Sequence, residues 1–98
     1  MKVNFNVNVI DFNGAEVKVN DKVVVMSDEL CKIMFFAGTG DMMSNDQKYN
    51  AYKIGRKIAN NEQEYNAEEL AFIKDQAGKS LAAGVYGFLI DTIEGNIK

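Results

Sequence analysis

The chain has 98 residues, of which 47% are hydrophobic and 26% charged, with 11 basic residues against 14 acidic for a formal charge of −3. That mix fits one globular domain and excludes wholesale disorder, while the acidic balance excludes binding nucleic acid with the whole surface. There is no histidine, so the usual general base near neutral pH is missing, and the one cysteine, Cys31, closes no internal disulfide and builds no ordinary zinc site.

These exclusions predict a non-enzymatic protein without metal or cofactor, kept in a reducing compartment. Met1-Lys2-Val3-Asn4-Phe5-Asn6 alternates apolar and polar residues, unlike the apolar block of a signal peptide. No apolar run approaches the roughly 20 residues that cross a bilayer. A soluble intracellular protein is expected.

Residues 1–26 have a period of two. Val3, Phe5, Val7 and Val9 share one face, and Ala15, Val17 and Val19 alternate with Glu16, Lys18 and Asn20. Asn13-Gly14 between these runs is a hairpin signal. A two-residue loop would mix the apolar and polar sets. A three-residue loop, Phe12-Asn13-Gly14, pairs Val9 with Val17 and Val7 with Val19, and requires Gly14 in the left-handed conformation. Asn20-Asp21 marks a second turn into Val23-Val24-Val25-Met26, completing a three-stranded meander.

From Ser27 the period becomes helical. Ser27 or Asp28 is expected to cap a first helix with Leu30, Ile33, Met34 and Ala37 on one face, ending at Gly38-Thr39-Gly40. Ser44 with Gln47 forms a capping box for a second helix reaching Ala59, with Ala51, Ile54 and Ile58 inward. Asn66 with Glu69 repeats that logic for a third helix, with Leu70, Ile73 and Ala77 inward. Gly78 is expected to separate it from a fourth helix running from Ser80 to about Glu94, closed by Gly95-Asn96, the alternative being one helix kinked across that point. This last segment is apolar nearly all round, so it is expected to be central, with Gly84 and Gly87 admitting a neighbouring element. The whole reads as one α+β domain over 1–98: an antiparallel hairpin or meander (1–26) packed on three to four helices (27–98).

Lys48-Tyr49-Asn50-Ala51-Tyr52-Lys53-Ile54, Asn66-Ala67-Glu68-Glu69-Leu70-Ala71-Phe72-Ile73-Lys74 and Tyr86-Gly87-Phe88-Leu89-Ile90-Asp91-Thr92-Ile93-Glu94-Gly95 follow the hairpin in order. This arrangement resembles a family of small, largely uncharacterised phage and prophage accessory proteins, whose helices carry "KYKAYKLA"-like and "TAEE.A.IK" segments and a "YG…..LIEG"-like end. Asn66 stands at the family's capping threonine. The resemblance implies a phage-encoded accessory factor in the cytoplasm of a bacterial host, and it carries over no functional residue.

Apparent catalytic motifs dissolve on their spacing. Gly78-Lys79-Ser80 has Ile73 where a P-loop needs its first glycine, and Gly38-Thr39-Gly40 has Met43 in place of the third glycine of a dinucleotide fingerprint. Asp11, Asn13 and Gly14 belong to a turn, not to a calcium loop. Glu68-Glu69 complements a helix dipole, and Asp91 with Glu94 edges the apolar last helix. Cys31 has the acidic neighbours Asp28 and Glu29 and reads as a small buried hydrophobe. Met42-Met43 offers gap filling or an adaptable contact.

Charge is concentrated on the second helix, where Lys48, Lys53, Arg56 and Lys57 face the single acid Asp46. Tyr49 stands one turn from Lys53, and Tyr52 one turn from Arg56, opposite the apolar stripe. Aromatic rings among cations grip anionic partners. Tyr49, Tyr52, Lys53, Arg56 and Lys57 are therefore the candidate binding residues. The partner is expected to be a host or defence protein that this chain inhibits or modulates. The alternatives are a sequestered nucleotide signal and a role in virion assembly. Duplex nucleic acid and membrane are not expected partners. Self-association through a strand edge or the last helix would extend so small a core.

Overall fold

The computed structural model describes residues 1–40 and 42–95. Asn96, named above as a closing residue, lies outside them. The fold is α+β: a two-stranded antiparallel hairpin of β1 (Lys18–Val19) and β2 (Lys22–Val23), followed by α1 (Met26–Phe35), α2 (Asn45–Ala59), α3 (Ala67–Ser80) and α4 (Ala83–Glu94).

The first turn takes the three-residue form. Asp11 N–H donates to the Ala15 carbonyl at 2.8 Å, Gly14 N–H donates to the Asp11 carbonyl at 3.1 Å, and Gly14 has φ +84°. Ile10 lies opposite Glu16, and Val17 N–H reaches the Val9 carbonyl at 2.9 Å. The register follows from burial, since Val3, Phe5 and Val9 must share the inner face. Asn20 and Asp21 both have positive φ, which the tight turn between β1 and β2 requires.

Of the expected three-stranded meander, the named strands are the hairpin β1–β2, and the N-terminal run joins it through isolated bridges. Val7 does not pair with Val19. Its carbonyl accepts from Met26 N–H at 2.9 Å, and Asn8 lies opposite Val25. Val9 N–H donates to Val24, Val24 N–H to Val17 and Val17 N–H to Val9, so three short runs satisfy one another in a ring. Residues 1–3 turn elsewhere. Val3 N–H donates to Gln63, Tyr65 N–H donates to Met1, and Lys2 bridges Glu64, which ties the start of the chain to the α2–α3 connection.

Helix α1 begins earlier than its capping residues suggested. Val25 is the N-cap, without a side-chain cap bond, and Asp28 and Glu29 lie in the first turn, where they complement the dipole. Met26, Leu30 and Met34 are buried, with Ile33 and Ala37 packed at the margin. Both predicted capping boxes are present, Ser44 with Gln47 and Asn66 with Glu69, each with reciprocal bonds. Helix α3 continues through Gly78, and the break falls at Leu81–Ala82, so two separate helices form. Gly95, at φ +73°, terminates α4.

Among the helices, α1 packs against both α2 and α3, and α3 packs against both α1 and α4. In α4 only Leu89 and Ile93 are fully buried, and Val85, Tyr86 and Phe88 are half-covered. Leu89 and Ile93 thus join the one core, and Ala82, Gly84 and Val85 lie beside Val9–Phe12 and Val17 of the N-terminal segment. Among the described residues, no neighbour lies within 4 Å of where a side chain would start at Gly84 or Gly87. The close approach occurs at Gly55 of α2, where an added Cβ would sit 3.0 Å from Met34 Cβ.

Candidate binding face on the second helix

The buried stripe of α2 is Ala51, Ile54 and Ile58, and its spacing rotates Tyr49, Tyr52, Lys53 and Arg56 to the opposite face. Tyr49 is 61% and Tyr52 51% exposed. Their rings stack at 6.0 Å with 14° between planes. The Lys53 ammonium sits 5.2 Å from the Tyr49 centroid, and the Arg56 guanidinium sits 5.8 Å from that of Tyr52. Arg56 also donates to the Tyr52 hydroxyl at 3.1 Å, which pushes the guanidinium further up from its ordinary value. Two rings and two cations thus make one ordered, water-facing plate. Ordering at these positions lowers the entropy lost when a partner docks.

Lys57 does not belong to that plate. Its ammonium turns toward the α2–α3 connection, 2.7 Å from the Glu64 carbonyl and 3.0 Å from a Glu69 oxygen, and it lies 4.5 Å over the Tyr65 ring. Partial burial raises the Glu69 carboxyl, but the Asn66 N–H and the Lys57 ammonium outweigh it and hold it below its ordinary value. Lys57 therefore locks the α2–α3 connection. Lys48 packs its stem beside Gly38 at the end of α1.

Sequence reasoning missed an apolar extension of the plate at Phe35, whose neighbour Phe36 lines a different cleft. Phe35 and Phe36 are 78% and 64% exposed and meet edge to face at 5.1 Å. A groove of about 270 Å³ runs between α1 and α2, lined by Cys31, Met34, Phe35, Tyr52, Gly55 and Arg56. The signal was available: adjacent helical residues point about 100° apart, so Phe35 and Phe36 cannot both follow the core stripe. Cys31 is half-buried at the groove, donates a long contact to the Gly55 carbonyl, and has its thiol pushed up by burial and by Asp28. Among the described residues, no group of three or more acidic, cysteine or histidine side chains is placed to hold a metal ion. No helix among them is long and apolar enough to cross a membrane.

The other candidates sit as ordinary structural residues. Gly78, Lys79 and Ser80 are the last turn of α3, Glu69 is consumed by its capping box and Lys57, and Glu94 lies 3.7 Å from Lys74. Met42 is fully exposed, and Met43 is half-buried. Comparison with protein-family models, curated proteins and solved structures returns no match.

Tyr65, beneath Lys57, gives the fold an alkaline limb. Burial, with Glu62 and Glu69 nearby, pushes its phenol up to about 12. An unfolded tyrosine releases its proton near pH 10, so the contribution is fully present below that pH and is lost as pH rises toward 12, by roughly 2 kcal/mol. Urea unfolding of wild type and Tyr65→Phe across this interval should show a steeper decline in wild type. Parallel declines would show that the folded phenol titrates normally.

Proposed function

We propose that this protein acts by binding, as a phage-type accessory factor whose outer α2 face engages an acidic surface on a host or defence protein. The observation that carries this reading is the stacked Tyr49–Tyr52 pair with Lys53 and Arg56 over its rings, all facing water. Such a face supplies flat aromatic area, two directional cations and little further ordering cost, the composition of an interface anchor. A protein partner fits better than a nucleotide here, because small molecules are held in concave sites that bury most of their surface, and both tyrosines are more than half exposed. Duplex nucleic acid fits poorly, because withdrawal of Lys57 leaves few phosphate contacts.

Affinity capture from a lysate of the native host, with wild type beside Lys53→Glu/Arg56→Glu, tests the reading. Reversal of both charges should weaken partner recovery by at least about tenfold, because like charges would then face each other. The melting temperature should hardly move, since neither side chain is buried. Equal recovery of the same partners by both proteins would remove α2 as the contact face.

A further inference from the structure

A second site lies where the ends of α1 and α3 converge, away from the tyrosine plate. There a cleft of about 390 Å³ is walled by Ile33, Phe36 and Thr39 on one side and by Gln76, Lys79 and Ser80 on the other. We propose that this cleft binds a nucleobase, carried by a nucleoside, and that Gln76 reads its hydrogen-bonding edge.

Gln76 occupies the inward stripe of α3 beside Ile73 and Ala77, and it is only 6% exposed. It is the one polar side chain in the buried set of described residues, at a position where leucine would contribute more to the core. Its amide nitrogen makes a long bond of 3.4 Å to Asp75, and its carbonyl oxygen accepts none from the described residues. No fully buried side-chain nitrogen or oxygen among those residues lacks a partner, so this oxygen retains access to solvent, on a residue that lines the cleft. A buried carboxamide with a free acceptor and a spare donor matches a base that presents donor and acceptor side by side.

The remaining walls fit the rest of such a ligand. Phe36 is 64% exposed, lines the cleft and brings an aromatic ring of the kind that stacks on bases. Thr39 and Ser80, both exposed, line the cleft and bring two hydroxyls suited to sugar hydroxyls. The volume lies in the range of small-molecule sites. The field disfavours a polyphosphate: Lys32 is paired with Glu29, Lys79 lies 3.9 Å from Asp75, and α1 and α3 both end here with the negative poles of their dipoles. An uncharged nucleoside is therefore preferred over its triphosphate.

The test is amide chemical-shift mapping of the whole chain with adenosine, guanosine, cytidine and uridine at millimolar concentration, and with ATP. At least one nucleoside should shift Gly38, Thr39 and Ser80, with ATP binding no more tightly than adenosine. Gln76→Leu keeps the burial and should weaken binding by at least about tenfold, while Ser80→Trp, at an exposed position, should plug the cleft. The Lys53→Glu/Arg56→Glu protein should bind the nucleoside unchanged, which separates this site from the α2 face. Absence of shifts with all four nucleosides overturns the proposal, and so does wild-type binding by Gln76→Leu. Should that variant not fold, undiminished binding by Ser80→Trp overturns it equally.

Discussion

Tyr65→Ala is expected to destabilise the protein by about 3–5 kcal/mol, a large share of the roughly 5–15 kcal/mol that holds a domain folded. Tyr65 is 1% exposed, and its ring meets Phe5 edge to face at 5.2 Å. Its hydroxyl donates to the Glu62 carbonyl at 2.8 Å, and its backbone N–H donates to Met1. Truncation therefore opens a cavity between the first residues of the chain, the α2–α3 connection and the base of α2. Tyr65→Phe keeps the ring and loses only the hydroxyl bond, so it should cost about 1 kcal/mol. Urea unfolding followed by circular dichroism measures both. A loss below about 1 kcal/mol for Tyr65→Ala would mean that the ring does not anchor the N-terminal segment.

Gly55→Val is the second large effect, at about 2 kcal/mol or more of lost stability. An added Cβ would stand 3.0 Å from Met34 Cβ, an atom fixed to the α1 backbone on a buried side chain, so the two helices must part. The branched methyl groups deepen the clash, and the helix-propensity gain over glycine is only a few tenths of a kcal/mol. Parting α1 from α2 also widens the groove beside Tyr52 and Arg56, so this variant should lose partner recovery even where it stays folded. Gly87→Ala gives the opposite sign. It faces open space within α4 and should gain up to about 1 kcal/mol. Thermal unfolding of the pair checks the ordering, and a Gly55→Val protein as stable as wild type would refute the close packing.

The contrast between these glycines shows where sequence reading reaches its limit. Gly84 and Gly87 lie in the most apolar segment and suggested close approach, yet they face open space, whereas Gly55, inside a polar helix, lies against Met34. Glycine lacks a side chain to declare a face. Its role depends on which helix arrives opposite, and that is a property of the assembled core. The candidate face divides the same way. Tyr49, Tyr52, Lys53 and Arg56 were legible because one helix's rotation places them together, while the turn of Lys57 away from that face was not, because its partners Glu64 and Glu69 come from beyond the end of α2.

Sequence by itself determined the α+β class, both capping boxes, the three-residue turn at Gly14, the inward stripes of α2 and α3 and the terminating Gly95. Each of these is settled within one or two turns of chain, where hydrogen-bond reach and side-chain direction suffice. The tertiary structure alone decided that α1 packs on both α2 and α3, that Val9, Val17 and Val24 close a ring, that Lys57 folds back onto the α2–α3 connection, and that Gln76 lines a cleft. Those outcomes depend on competition among distant surfaces for one small buried volume, and no local spacing carries that information.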